Sequence, residues 1–149
     1  MNQGDNNFQK VEWSGDQYSP ADDDLDELPA PTARSLSPED RALLELAARA
    51  LGARFEEVEH EGYGNLHFED GRVVNAWNSL AFSGDALELA VTLGIQVTPG
   101  TYLTQDAVAY VPGSQEVKEH VHFQQDMLIA TRRAITRAAA EIGKQHDRA

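Results

Sequence analysis

Large apolar side chains are sparse in the first 35 residues of this chain and frequent in the remainder. The few in residues 1–35 are Phe8, Val11, Trp13, Tyr18, Leu25 and Leu28. Burial of so few groups does not offset the conformational entropy that is lost when a segment becomes ordered. The sequence therefore predicts an extended arm at 1–35 and one compact domain at 36–149, which is an ordinary length for a single domain.

A helix is predicted at each end of the domain. Ser37 is a suitable N-cap, Pro38 is pre-organised for the first helical position, and Gly52 is a stop signal for the first helix. The last helix is predicted over about 126–142, with Gly143 as its stop. The predicted buried stripes are Leu43, Leu46, Ala47, Ala50 and Leu51 in the first helix, and Leu128, Thr131, Ile135, Ala138, Ala139 and Ile142 in the last. The opposite face of the last helix has Arg132, Arg133, Thr136 and Arg137.

Strand patterns fill the region between these helices. Residues 55–77 predict a three-stranded antiparallel meander, with one turn at 62–65 and a two-residue hairpin turn at Asp70-Gly71. Trp77 is predicted to be a core anchor. A second helix begins near Ser83, its predicted cap, and its apolar groups on several sides predict deep burial. Short strands at 95–98 and 107–111 and an extended segment within 114–125 complete an α+β domain, in which helices cover a mostly antiparallel sheet of about four to six strands.

Negative charge is unevenly distributed along the chain, whose formal net charge is −13. Residues 1–34 have eight acids and two bases, a net of −6, and residues 56–126 have twelve acids and two bases, a net of −10. Such a field repels free nucleic acid and anionic membranes and favours partners with a basic surface. Candidate binding residues are the acidic clusters of both regions and one aromatic anchor, namely Asp22, Asp23, Asp24, Asp26, Glu27, Trp13, Glu56, Glu57, Glu59 and Glu61.

The sequence offers few residues for catalysis. Cysteine is absent, which excludes disulfides, thiolate catalysis and cysteine-ligated metals. The chain has no Gly-x-Ser-x-Gly nucleophile elbow and no phosphate-binding glycine loop. In a strand, His120 and His122 would project from one face, where Glu116, His60 or His67 would have to complete a metal site; the alternative is a pair of exposed histidines. We expect no enzymatic activity, no metal and no cofactor.

Two stretches of the domain together resemble a known family. One is Trp77-Asn78-Ser79-Leu80 followed by Gly84-Asp85-Ala86-Leu87-Glu88-Leu89-Ala90-Val91, and the other runs from Asp126 through Ala130-Thr131-Arg132-Arg133-Ala134-Ile135 to Gly143. They resemble an uncharacterised family of small phage and prophage proteins over roughly residues 38–143. Family members usually have proline where this chain has Ser79, and they usually lack so long an arm. The resemblance implies a compact α+β sandwich and a viral origin, and it implies no activity or site residue.

Three functions remain open at the level of sequence. The first is a non-catalytic phage protein that binds a host protein through an acidic surface, and that inhibits a nucleic-acid-handling defence complex by imitating phosphates. The second is a virion or assembly component that docks through its arm, and the third is a small ligand-binding protein or enzyme. No apolar run approaches the ~20 residues of a membrane span. Together with the viral origin that the resemblance implies, this leads us to expect a protein of the bacterial host's cytoplasm, or alternatively of the virion.

Overall fold

The structure is a computed structural model that describes residues 35–101, 103–121 and 126–148. The predicted arm lies outside the described residues except for Ser35. The helices are α1 (Pro38–Ala50), α2 (Ser83–Leu93) and α3 (Met127–Arg148). The strands are β1 (Ala53–Val58), β2 (Tyr63–Phe68), β3 (Val73–Trp77), β4 (Gln96–Thr98), β5 (Asp106–Tyr110) and β6 (Val117–His120). None of the helices in these ranges is long and apolar enough to cross a membrane.

The six strands form two separate antiparallel sheets. Strands β1, β2 and β3 form the first sheet in chain order, and β4, β5 and β6 form the second. Helix α1 packs on α3 and on β1, while α3 also packs on the second sheet and on α2. The α+β class and the antiparallel pairing are confirmed. The single sheet that the sequence suggested is wrong, because the described strands β1–β3 pair only with one another and β4–β6 likewise.

The start of α1 follows its sequence signals. Ser37 is the N-cap, and its Oγ accepts a hydrogen bond of 3.0 Å from Asp40 N. The buried stripe is rotated from the predicted one, since Leu44 and Ala48 are completely buried whereas Leu43 and Leu46 are only half-buried. Small side chains such as Ala47 and Ala48 allow α3 to approach this face closely.

The meander is present, but both of its turns differ from the prediction. Gly71 N donates to Phe68 O and Phe68 N donates to Arg72 O, which is the pattern of a three-residue loop with a bulge at Gly71. Gly71 has φ +94, a left-handed conformation that suits glycine. The β1–β2 turn lies at 59–62 because β2 already begins at Tyr63. Trp77 is buried and meets Phe55 edge to face at 6.1 Å, which confirms its predicted role as a core anchor.

Helix α2 departs from two predictions. Phe82 occupies the N-cap position without a side-chain hydrogen bond, so Ser83 is not the cap. Ser83 Oγ instead accepts a hydrogen bond of 3.0 Å from Arg132 Nη1 of α3. Leu89 is buried, but Leu87 and Val91 are 64% and 73% exposed. The prediction of a helix buried on several sides is therefore wrong for the face that contains these two residues.

Helix α3 is longer than predicted, and its buried face matches the predicted stripe only in part, since Ile135, Ala138 and Ala139 are buried as expected. It continues through Gly143 to Arg148, and Gly143 lies where α3 crosses α1. Leu128, predicted to be buried, is 64% exposed, whereas Thr136, predicted on the polar face, is completely buried. The hydroxyls of Thr136 and Ser79 form a buried hydrogen bond of 2.8 Å. This bond joins α3 to the connection between β3 and α2.

Asp85 gives the domain a pH-dependent contribution to stability. Partial burial raises the pKa of this carboxyl above 3.8, although Asn78 N donates to its Oδ2 at 2.9 Å and opposes the shift. A raised folded-state pKa contributes stability that is fully present at low pH and is lost as pH rises from 3.8 through the folded pKa. Asp85→Asn removes this titration, so we expect its melting temperature, relative to the native protein, to increase between acidic and neutral pH. Thermal melts at several pH values measure this, and a constant difference would contradict the assignment.

Candidate protein-binding surface

The acidic residues predicted in the domain lie on and beside β1 of the first sheet. Successive side chains of a strand point to opposite faces of the sheet. Glu57 therefore lies on the same face as buried Phe55, and Glu56 lies on the opposite face. Glu57 accepts a hydrogen bond of 2.6 Å from Arg41 Nε of α1 and is half-buried. Glu56, Glu59 and Glu61 are exposed. The structure thus separates Glu57 from the other three, and only those three remain accessible to a partner.

The two histidines near these glutamates are close to carboxylates. His67 Nε2 lies 2.8 Å from Glu56 Oε1 without the alignment of a hydrogen bond, and exposed His60 lies 3.6 Å from Glu59. The arm residues of the predicted site, Trp13, Asp22, Asp23, Asp24, Asp26 and Glu27, lie outside the described residues.

The arginines of α3 have intramolecular partners. Arg133 lies 3.0 Å from Asp40 and 3.6 Å from Glu39 at the start of α1, and Arg137 pairs with Glu119 of β6. Arg132 Nε donates to Leu80 O at 3.0 Å. Arg133 and Arg137 thus balance acids of the same fold, whereas the contacts of Arg132 are with a carbonyl and a hydroxyl oxygen. They tie α3 to α1, to the second sheet and to the start of α2.

Several carboxylates of the first sheet and α2 form no ion pair with another described residue. Glu61, Glu69 and Glu88 are exposed, and none of them forms an ion pair with another described residue. Asp70, next to Glu69, pairs with Arg72, and the Arg72 backbone N–H, 2.9 Å from Asp70 Oδ1, lowers the pKa of that carboxyl. The acidic excess of the domain is therefore displayed at both turns of the meander and on α2, and also at exposed Glu45 of α1 and Glu116 before β6.

Of the predicted histidine pair, only His120 lies within the described residues. His120 Nδ1 lies 3.2 Å from Asp106 Oδ1, and His122 lies outside the described residues. No three His, Asp or Glu side chains in the described ranges are grouped to hold a metal ion. Glu116, His60 and His67, which the sequence offered as further ligands, are therefore not assembled with His120.

A feature that the sequence did not indicate lies between β3 and α2. Strand β3 is an outer strand of the first sheet, and its neighbour in that sheet is β2. A cavity of about 210 Å³ opens beside it, with Trp77, Leu66, Phe68 and Val74 from the first sheet and Leu89 from α2 among its apolar lining residues. Exposed Glu88 and Thr92 of α2 also line it. In the sequence, this place is marked only by a valine in β3 and by polar residues between the apolar residues of α2. Neither feature predicts a cavity.

A second, more polar groove lies beside the second sheet and α3. It has a volume of about 520 Å³ and lies between the β5–β6 connection and the second half of α3. Lys118, Arg137, Glu116 and Glu141 line it, so its charges are balanced. Arg137 is already engaged with Glu119, and Glu141 with Lys144 at 3.1 Å. The groove therefore has no preference for a positively or a negatively charged ligand.

Comparisons of the chain with protein-family models, with curated proteins and with solved structures find no match.

Proposed function

We propose that this chain is a non-catalytic, phage-encoded protein that binds a basic surface of a bacterial host protein. The observation that carries the proposal is the division of charges in the domain. Arg41, Arg133 and Arg137 form ion pairs within the fold, and exposed Arg54 and Lys118 form none among the described residues. The exposed glutamates without such a pair outnumber these two bases, and they are Glu45, Glu61, Glu69, Glu88 and Glu116. The accessible charge that remains is negative, and it favours cationic partners.

A nucleic-acid-handling defence complex is the class of partner that suits this surface. Lys and Arg side chains that bind phosphates also bind carboxylates through charge-assisted hydrogen bonds. An acidic surface that occupies such a site excludes nucleic acid without any chemical step. The viral origin implied by the sequence resemblance supports a host target, and the place of action would be the host cytoplasm.

Association with the captured partner should be strongly dependent on salt. The partner is first identified by capture from bacterial lysate and mass spectrometry, and association is then measured by stopped flow. Raising salt from about 50 to about 500 mM should slow association at least tenfold, because electrostatic steering is screened. Nucleic acid that binds the partner should compete with this protein for the same surface, and the binding of that nucleic acid should weaken with salt in the same way.

Charge-matched variants locate the binding residues. One variant neutralises the exposed glutamates of β1 and the following turn, Glu56, Glu59 and Glu61, and a second neutralises the arm acids Asp22, Asp23, Asp24, Asp26 and Glu27. A third neutralises Glu45, Glu116 and Glu141, which lie outside the first sheet, and matches the first variant in net charge. Weaker binding by the first or second variant but not by the third supports the proposal. Equal binding by all three, with no effect of salt, would contradict it, and recovery in purified particles would favour a virion component.

A further inference from the structure

The backbone groups on the outer side of β3 have no strand partner within the part of the chain that the structure describes. Because Phe68 N donates to Arg72 O, the alternation of an antiparallel ladder directs the backbone groups of Val74 toward β2. The N–H and C=O groups of Val73 and the N–H of Asn75 are consequently directed away from β2. The register shifts opposite Asn65, where Ala76 has φ 56 and its N–H donates to Asn65 Oδ1 at 3.0 Å, so the C=O of Asn75 in the same peptide unit also points outward. Val73 and Asn75 are both exposed, and Val73 is 47% exposed despite its apolar side chain. Among the described residues, no strand pairs with this side of β3.

The cavity between β3 and α2 adjoins this edge. Val74, whose side chain lines the cavity, is the β3 residue between Val73 and Asn75. A strand added at the normal spacing of ~4.8 Å would place alternate side chains beside Val74, on the cavity side of the sheet. The volume of about 210 Å³ is below that of typical small-molecule sites, which is ~300–1,000 Å³. The cavity therefore suits one large apolar side chain.

The charges around the edge are predominantly negative. Glu88 lines the cavity, and Glu69 and Asp70 form the adjoining β2–β3 turn. The cation at this place, Arg72, lies 4.0 Å above the ring of Phe68 and 3.4 Å from Asp70 Oδ2. A segment with basic residues complements this charge, and one with acidic residues is repelled.

We infer that the outer edge of β3 binds an extended, basic segment of the partner as an added strand, with one large apolar side chain in the cavity beside Trp77. This inference rests on the proposed function and specifies how the partner is held. Main-chain hydrogen bonds to Val73 and Asn75 supply affinity, and the cavity and the surrounding carboxylates supply specificity.

The test uses a defined probe and the full-length protein. The probe is a short peptide with a central phenylalanine, valine two positions to either side, and lysine at the other positions. Binding is followed by nuclear magnetic resonance, with hydrogen exchange of the Val73 and Asn75 amides as the readout of strand pairing. We expect saturable binding that slows exchange at these two amides. Two control peptides should not bind. One has N-methyl groups on the amides that would face β3, and the other has glutamate in place of each lysine.

Matched protein variants distinguish edge pairing from general attraction. Asn75→Pro removes one outward N–H and is tolerated at an edge strand, whereas Asn75→Ala keeps that N–H. We expect Asn75→Pro to weaken binding about tenfold or more and Asn75→Ala to leave it nearly unchanged. Thr92→Trp fills the cavity from α2 and should also weaken binding, which keeps the test valid if the proline variant unfolds.

The outcomes separate this inference from the proposed function. Absence of probe binding, or equal binding by the Asn75→Pro and Thr92→Trp variants, overturns the edge site. If those variants bind the lysate-captured partner normally while the glutamate variants do not, acidic recognition stands and only the edge site fails. Sedimentation of the free protein supplies a further check. If the free protein is a dimer and Asn75→Pro converts it to a monomer, the edge of β3 binds a second copy of the chain. That result would overturn the inference that the edge binds a segment of the partner.

Discussion

Replacement of Gly143 by alanine is expected to destabilise the domain strongly, although alanine is the better helix former. Gly143 is buried where α3 crosses α1, and a Cβ built there would overlap the carbonyl oxygen of Leu46. Because that oxygen belongs to the α1 backbone, relief of the overlap requires the two helices to separate. Overpacking of this kind costs about 1–3 kcal/mol or more, which exceeds the ~1 kcal/mol gained in helix propensity. Thermal melts should show a decrease in melting temperature of roughly 5–10 °C.

Gly84→Ala is the matched control for this experiment. Gly84 lies in the first turn of α2, and a Cβ there meets nothing within 4 Å. The same substitution in this open position should leave stability unchanged or raise it by up to about 1 kcal/mol. If Gly143→Ala proves as harmless as Gly84→Ala, then α1 and α3 do not cross as closely as the structure places them.

Local signals predicted those parts of the fold that depend on a few neighbouring residues. The start of α1 was predictable because Ser37, Pro38 and the acids after them act on their own helix turn. The β2–β3 hairpin was predictable because Gly71 adopts a conformation that few other residues favour. In each case the physical cause lies within about five residues of its effect.

Other predictions failed because tertiary contacts decide them. Gly143 is a stop signal in isolation, but burial against α1 makes a residue without a side chain necessary inside the helix. Thr136 appears polar in sequence, yet the hydroxyl of Ser79, 57 positions earlier, satisfies it in the core. The division of the strands into two sheets likewise depends on which strands become neighbours, and this is not specified within any one strand.

The candidate surface was predictable in sign but not in detail. Counting charges identified an acidic region, because net charge does not depend on the fold. The pairing of Glu57 with Arg41, and of Arg133 with Asp40 93 positions earlier, depends on which elements become neighbours. The edge of β3 and the cavity beside it could not be predicted, since they arise from the position of α2 relative to the first sheet.

Among substitutions to alanine at single positions of α3, Ile135→Ala should cause the largest decrease in the free energy of unfolding. Ile135 is 6% exposed and belongs to the core cluster that contains Trp77 and Leu44. Loss of its buried methyl and methylene groups, together with the cavity left behind, is expected to cost about 2–5 kcal/mol in urea denaturation. Ile129→Ala is the control on the same helix, because Ile129 is 52% exposed and its loss should change stability by less than about 0.5 kcal/mol. Similar values for the two variants would mean that α3 is peripheral to the core and presents its apolar side chains to a partner instead.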